Sequence, residues 1–100
     1  MRFPTNRPPI HPGEILLEEF LKPFGMTIAD TASRTGLKKE QIQNIIEGKK
    51  NIDADTALRF SRLFSTSPDL WMNGQIAWDI WHILHGKNAG EIEKIEPVTV

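Results

Sequence analysis

The sequence contains no cysteine, and none of its uninterrupted apolar runs is longer than three residues. The absence of cysteine excludes disulfides, thiolate zinc sites, iron–sulfur clusters and cysteine nucleophiles. Because small secreted domains often need disulfides, the expected compartment is a reducing cytosol. A transmembrane helix needs about 20 apolar residues, so none is predicted, and the first five residues do not resemble a signal peptide.

The chain also has little net charge, −1 over 100 residues, but that charge is unevenly distributed. Residues 34–62 carry seven basic and four acidic side chains, whereas both flanking segments are net acidic. The length fits one domain, and the 39% hydrophobic and 25% charged residues are typical of a globular protein. A basic middle segment is compatible with a nucleic-acid surface, although it is not specific for one.

Apolar periodicity and capping signals predict five helices and no strand over residues 11–86, so the expected fold class is all-α. Thr27 and Asp30 form a variant capping box at the start of the second helix. The remaining boundaries are marked by Pro12, Pro23, Gly25, Gly36, Gly48, Asp53, Ser67 and Gly86. In the first helix, an inward apolar stripe is expected from Leu17, Phe20, Leu21 and Phe24.

The two ends of the chain lack this helical pattern. Residues 1–10 contain three prolines and are predicted to form an extended arm. Residues 87–100 place isoleucines and valines among glutamates, and they are expected to form a C-terminal tail or an edge strand. The predicted organisation is therefore an arm, a helical domain over residues 11–86, and a tail.

Residues 28–46 have the spacing of a helix-turn-helix motif. Two helices that cross at a steep angle need a small residue at the crossing, which Ala32 supplies. The tight turn needs a residue that tolerates positive φ, which is Gly36. Ile42 and Ile45 then fix the inner face of the second helix, so that its outer face can enter a DNA major groove.

The outer face of that helix carries side chains able to bind DNA. The predicted base contacts are Lys39, Glu40, Gln43 and Asn44, because amides, lysine and carboxylates recognise different base edges. The predicted phosphate contacts are Lys38, Lys49, Lys50 and Arg34, which Arg59 and Arg62 would extend. From spacing alone, a plain helical bundle with a solvated polar face is the alternative.

Three stretches in the right order resemble the HigA-type antitoxins, also called VapI-type, which are Cro/CI-like helix-turn-helix proteins. They are residues 11–16 (HPGEIL), residues 25–49, and residues 67–73 (SPDLWMN) with Gln75, Trp78, Asp79 and Trp81. The resemblance covers residues 9–81. It implies a lambda-repressor-like fold and a homodimer that binds double-stranded DNA at an operator in its own promoter. It also implies a partner toxin, usually a RelE-like ribonuclease that cleaves mRNA, which the antitoxin neutralises by direct binding.

Several residues depart from the family pattern. Ile28 stands where the family commonly has a glutamine that contacts phosphate, and Glu47 replaces a common asparagine and would repel phosphate. Thr31 and Thr35 replace apolar residues on the inner face, so weaker packing is expected. Lys38 replaces a serine or threonine cap, which should cost about 1 kcal/mol of helix stability. These changes favour a toxin-binding module with little DNA affinity as one alternative function.

The fifth helix is apolar on two neighbouring faces, and a domain of this size can seldom bury both. One face is therefore expected to pack inward and the other against a second subunit. The predicted dimer interface consists of Trp78, Ile80, Trp81, Ile83 and Leu84. A two-fold dimer would place its recognition helices about 34 Å apart on a palindromic operator.

Catalytic motifs are lacking: there is no phosphate-binding glycine loop, nucleophile elbow or HExxH sequence. Asp79, His82 and His85 lie on one helix at metal-ligand spacing, but no fourth ligand is evident, so surface or interface polar groups are expected instead. The sequence predicts no enzyme, cofactor or metal. Besides the toxin-binding module, a regulator that has no toxin partner is the remaining alternative.

Overall fold

A computed structural model describes residues 8–98, which fold into six helices and form no strand. Helix α1 spans residues 12–24, and the others are α2 (Ile28–Thr35), α3 (Lys39–Ile46), α4 (Ala54–Phe64), α5 (Pro68–Leu84) and α6 (Ala89–Glu93). The all-α prediction is confirmed, as are the helices that follow Thr27, Asp53 and Ser67. Each of these three residues accepts a hydrogen bond from a backbone N–H in the first turn of its helix.

Helix α1 changes its hydrogen-bond register in the middle. It is α-helical over Pro12–Ile15, π-helical over Leu16–Leu21 and α-helical again over Lys22–Phe24. In the wider π register, residues five apart share a face, so Leu16 and Leu21 are both buried. The stripe predicted from the α-helical period is therefore partly wrong, because Phe24 is 60% exposed. The helix continues through Pro23 and ends at Gly25, whose φ is +63°.

The aromatic part of the core lies where α1, α4 and α5 meet. Trp71 on α5 is completely buried, with its ring centroid 5.3 Å from that of Phe20 and 5.1 Å from that of Phe60. Its indole N–H donates to the hydroxyl of Thr66, so the buried polar atom is satisfied. This aromatic cluster fixes α5 on α4 and α1.

The start of α1 is held tightly against the end of α3. A Cβ atom on Gly13 would collide with the carbonyl oxygen of Ile45, so only glycine allows this approach. The backbone N–H of Gly13 donates to the imidazole Nδ1 of His11, which caps the helix from a buried position. His11 is thus the residue that precedes and caps the first helix.

The C-terminal segment differs from the prediction. The expected edge strand is wrong for residues 89–93, which form the short helix α6 after the chain leaves α5 near Gly86. The molecule measures 51 × 26 × 21 Å, because the second half of α5 and the segment after it extend away from the core. No helix over residues 8–98 is both long and apolar enough to span a membrane. Most of the predicted arm, residues 1–7, lies outside the described residues.

Candidate nucleic-acid interface

Helix α2 forms as its capping residues predict. Thr27 accepts a hydrogen bond from the N–H of Asp30, and Asp30 accepts one from the N–H of Thr27. These bonds favour the charged carboxylate, so they lower the pKa of Asp30. The helix ends at Gly36, whose φ of +79° confirms the predicted left-handed turn.

The inner face of α2 is polar but fully hydrogen-bonded. Thr31 and Thr35 are buried. The hydroxyl of Thr31 donates to the carbonyl of Thr27, and the hydroxyl of Thr35 donates to that of Thr31. Such bonds satisfy the buried hydroxyls within the helix itself. The two threonines therefore replace apolar contacts without leaving an unpaired polar group.

The recognition helix α3 begins without a side-chain cap from Lys38, since an ammonium group cannot accept a hydrogen bond. Instead, the backbone N–H of Lys38 donates to the side-chain oxygen of Gln41, at 3.1 Å. This is one half of a capping box. Gln41 is not among the residues predicted to cap a helix, although a glutamine three residues after the cap position is the usual signal.

The inner face of α3 is anchored as predicted. Ile42 and Ile45 are completely buried, and Ala32 of α2 is 8% exposed at the helix crossing. Gly13 of α1 lies against the carbonyl of Ile45. With α1 and α2 both packed against α3, the orientation of its outer face is set by the rest of the domain.

The four predicted base-contacting residues lie together on the outer part of α3. Lys39, Glu40 and Gln43 are exposed, and Asn44 is half-buried. The amide of Gln43 donates to the carboxylate of Glu47 at 3.0 Å. This bond uses one of the two amide N–H groups of Gln43, so the other N–H and the side-chain oxygen can still contact a base edge.

Glu47 is stabilised as an anion at the end of α3. The hydrogen bond from Gln43, followed by that from Lys49, lowers the pKa of its carboxyl group. The Lys49 ammonium lies 3.3 Å from the Glu47 carboxylate, and 68% of the Lys49 side chain is exposed. Glu47 thus keeps a negative charge among the residues predicted to contact DNA and partly offsets Lys49.

The predicted phosphate-contacting residues lie at separate positions. Lys38 precedes α3, whereas Lys49 and Lys50 follow it. The backbone N–H groups of Lys49 and Lys50 both donate to the carbonyl of Asn44. Lysines thus flank α3 at both ends. Arg34 instead lines a groove between α2 and α4 that includes no residue of α3.

The predicted dimer residues lie on the part of α5 that leaves the core. Trp78, Ile80 and Trp81 are half-buried, whereas Ile83 and Leu84 are 49% and 47% exposed. Trp78 already has a partner within the chain, because its ring meets His11 edge-on at 4.9 Å. Ile76, which the predicted interface omits, is 46% exposed beside it.

Asp79 and His82 of α5, and His85 directly after it, contact α5 itself. Asp79 accepts a hydrogen bond from the amide of Gln75, and His82 and His85 each place Nδ1 within 2.9 Å of the carbonyl four residues earlier. Within residues 8–98, no three histidine or acidic side chains are grouped in a way that could hold a metal ion.

Comparison with known proteins gives a consistent result. The sequence profile of the helix-turn-helix family matches residues 17–71. The virulence-associated protein I of Dichelobacter nodosus is 42% identical over 76 residues, which cover 76% of this chain and 70% of that protein.

Two solved structures are similar in both sequence and shape. The antitoxin HigA of Pseudomonas aeruginosa, solved with the higBA promoter, is 36% identical at a TM-score of 0.82, covering 91% of this chain and 99% of that one. The antitoxin GraA, solved in complex with its operator, is 32% identical at a TM-score of 0.85, covering 99% of this chain and 100% of that one. The chain therefore belongs to the Cro/CI-type helix-turn-helix family and, within that family, to the HigA-type antitoxins.

Proposed function

We propose that the chain is a DNA-binding antitoxin that represses its own operon. As a dimer it binds an operator in its own promoter through α3, and it neutralises a partner RelE-like toxin that cleaves mRNA. The observation that carries the proposal is the polar outer face of α3, held in place by the buried Ile42 and Ile45. The likeness to HigA and GraA, both solved with their DNA sites, supports it.

Base recognition is assigned to the outer face of α3. Lys39, Glu40, Gln43 and Asn44 contact base edges, and these determine sequence preference. Lys38, Lys49, Lys50 and Arg34 contact phosphates, which add affinity that depends on salt. In this assignment Arg34 acts from the groove between α2 and α4, at a distance from the other three.

The dimer forms through the second half of α5. Ile83 and Leu84 are about half exposed, and apolar side chains exposed together on one helix indicate an interaction surface. Trp78, Ile80 and Trp81 complete the interface. Residues 11–86 are then the DNA-binding and dimerising domain, which works in the cytoplasm without catalysis or a cofactor.

A fluorescence-anisotropy titration tests the proposal directly. A duplex from the region upstream of the gene is compared with a shuffled duplex at two salt concentrations. We expect the upstream duplex to bind at least about 10³-fold more tightly, with affinity falling steeply as salt rises. Asn44→Ala should reduce this preference about 5–150-fold, at a cost of about 1–3 kcal/mol. Equal, weak binding to both duplexes would contradict the repressor function.

The lysines allow a matched control. Lys49→Ala and Lys87→Ala each remove one positive charge, but Lys87 follows the far end of α5. Lys49→Ala should weaken all duplexes similarly and lower the salt slope by about 1, whereas Lys87→Ala should change neither. If both variants have the same effect, only net charge matters and the assigned phosphate contact is wrong.

One observation favours a second function, a toxin-binding module with little DNA affinity. The Glu47 carboxylate accepts a hydrogen bond from the amide of Gln43, and this carboxylate remains charged beside the residues that would contact DNA. Glu47→Gln removes the charge and keeps the size of the side chain. If DNA binding stays weak in this variant while the protein still neutralises the product of the neighbouring toxin gene in a co-expression growth assay, the second function is favoured.

A further inference from the structure

A groove of about 920 Å³ lies between α2 and α4, away from the outer face of α3. The residues that determine its character are three arginines, two leucines and one aspartate: Arg34, Arg59, Arg62, Leu58, Leu63 and Asp55. Every residue that lines it lies in α2, in α4 or directly after α4, so the C-terminal segment of the same chain does not occupy it.

The groove has an excess of positive charge. The guanidinium of Arg59 bonds the carboxylate of Asp55 and the carbonyl of Thr35, both at 2.6 Å. Arg62 forms no hydrogen bond or ion pair with any residue between 8 and 98. Arg34 interacts with the carboxylate of Asp30, which does not line the groove. Arg62 therefore offers a charge that no other described residue compensates, whereas the charge of Arg34 is partly offset by Asp30.

The groove also contains apolar side chains. Leu58 is 58% exposed between the arginines, and Leu63 is half-buried beside it. Surfaces that bind a nucleic-acid backbone combine positive charge with hydrogen-bond donors or aromatic rings, and exposed leucine contributes to neither. A leucine between arginines instead fits a peptide segment that carries both carboxylates and aliphatic side chains.

The C-terminal segment of this protein has that composition. Glu91, Glu93 and Glu96 outnumber its single lysine, Lys94. Its aliphatic side chains are exposed: Ile92 is 44% exposed, Ile95 72% and Val98 92%. This segment is therefore complementary to the groove in both charge and polarity.

We propose that residues 91–98 of one copy occupy the groove between α2 and α4 of a second copy. The exchange is reciprocal, so the contact is closed and two-fold symmetric. Residues 86–98 follow the end of α5 and can span about 30 Å even if the short helix α6 is kept. The proposal rests on the proposed dimer and adds a second contact to the one formed by α5.

Cysteine cross-linking tests the contact directly, because the natural chain contains no cysteine. Leu58→Cys and Ile95→Cys are prepared as separate proteins, mixed, allowed to exchange subunits and oxidised. Mixed disulfides are quantified by mass spectrometry after proteolysis. The control replaces Leu58→Cys with Ser33→Cys, an exposed position of α2 that does not line the groove.

We expect the Leu58→Cys and Ile95→Cys pair to form mixed disulfides about tenfold faster than the control pair, because docking raises the effective concentration of the two thiols. Equal rates for the two pairs would overturn the proposal. So would a disulfide that forms in the Leu58→Cys/Ile95→Cys double variant only within one chain, since the tail would then occupy its own groove.

A charge exchange provides an independent measurement. Arg62→Glu and Glu96→Lys should each raise the dimer dissociation constant about tenfold in sedimentation equilibrium, and the double variant should recover most of that loss. If Arg62→Glu weakens duplex binding and leaves the dimer constant unchanged, the groove belongs to the DNA surface and the proposal fails. A natural protein that stays monomeric at all concentrations would refute the proposed dimer as well, whereas a dimer without the cross-link would refute this contact alone.

Discussion

The two halves of α5 differ in what covers their apolar side chains. In residues 68–75, Trp71 is completely buried and Gln75 is 3% exposed. In residues 76–84, Ile76, Ile83 and Leu84 are between 46% and 49% exposed. One continuous helix thus contributes a core element at its start and an uncovered apolar surface at its end. Apolar content alone therefore does not tell which part of a helix belongs to the core.

The geometry of the bundle explains this difference. Helix α4 packs along the first part of α5, and α1 contacts that part through Phe20, which meets Trp71. Further along α5, His11, directly before α1, meets Trp78. Beyond Trp78, the side chains of Ile80 and Trp81 are half-buried, and those of residues 82–84 are exposed. Burying a large aliphatic side chain stabilises the buried state by about 1.5–3 kcal/mol, so covering these side chains favours the binding of a second subunit there.

The largest predicted effects follow from replacing one tryptophan in each half of α5 with alanine. Trp71→Ala should lower the free energy of unfolding by about 3–5 kcal/mol, because it empties the centre of the aromatic cluster and leaves the Thr66 hydroxyl without its donor. Trp81→Ala removes the same side chain from the exposed half and should mainly weaken the dimer. Urea unfolding followed by circular dichroism at several protein concentrations separates the two effects, because only the contribution of the dimer depends on concentration. Equal losses would show that the two halves do not differ in role.

A charge on the exposed half should separate dimerisation from folding. Ile83→Asp should raise the dimer dissociation constant by about 10–100-fold, since it removes the burial of an aliphatic side chain and introduces a charge. The monomer should keep its helicity, because Ile83 contributes little to the core. Size-exclusion chromatography with light scattering and far-ultraviolet circular dichroism report the two properties. Unfolding of the variant would place Ile83 in the core instead.

Gln75 stands at the boundary between the two halves. Its side-chain oxygen accepts the N–H of Ile52 at 2.7 Å, and its amide donates to Asp79 at 2.9 Å. Gln75→Leu leaves a buried backbone N–H unpaired and should cost about 1–3 kcal/mol of stability. Gln75→Glu keeps a side-chain oxygen that can accept the N–H of Ile52. It loses the bond to Asp79, however, and places a second carboxylate beside it. If both variants lose the same stability at pH 7 and Gln75→Glu regains it at lower pH, repulsion between the new carboxylate and Asp79 causes the loss in Gln75→Glu.

Much of the helical architecture follows from local signals in the sequence. The capping box of Thr27 and Asp30, the left-handed Gly36 and the cap at Asp53 each act within a few residues, so they predict the ends of α2 and the start of α4. The π segment of α1 could not be predicted, because it depends on packing Leu16 and Leu21 together on one face. Residues 89–93 are equally ambiguous, since a short run of mixed polarity is compatible with a strand or a helix.

The candidate site was predictable to a similar extent. The spacing of Ala32, Gly36, Ile42 and Ile45 predicts both the motif and the outer face of α3, because helical period places the polar residues opposite the isoleucines. It does not predict the hydrogen bond between Gln43 and Glu47, since two flexible side chains can each bind several different partners. Nor does it place Arg34 in a groove apart from α3, because that position depends on how α4 packs against α2.

The smallest predicted effect concerns His11, where α1 meets the exposed half of α5. Burial lowers the pKa of His11 in the folded protein, against the opposing charges of Asp79 and Glu14. The unfolded chain binds the proton at its ordinary pKa of about 6.5, so between that value and the lower folded pKa the unfolded state holds more protons. Stability should therefore rise with pH across this window and become independent of His11 above it.

His11→Asn isolates this contribution, because an asparagine oxygen can still accept the N–H of Gly13 and cap the helix. The difference in urea midpoint between natural protein and variant, measured from pH 5 to 8, should increase toward neutral pH in favour of the natural protein. A difference that is constant over the whole range would mean that the His11 pKa is the same in both states. Because His11 contacts Trp78, a slope that disappears at low protein concentration would instead mean that dimerisation, rather than α1 alone, buries the imidazole.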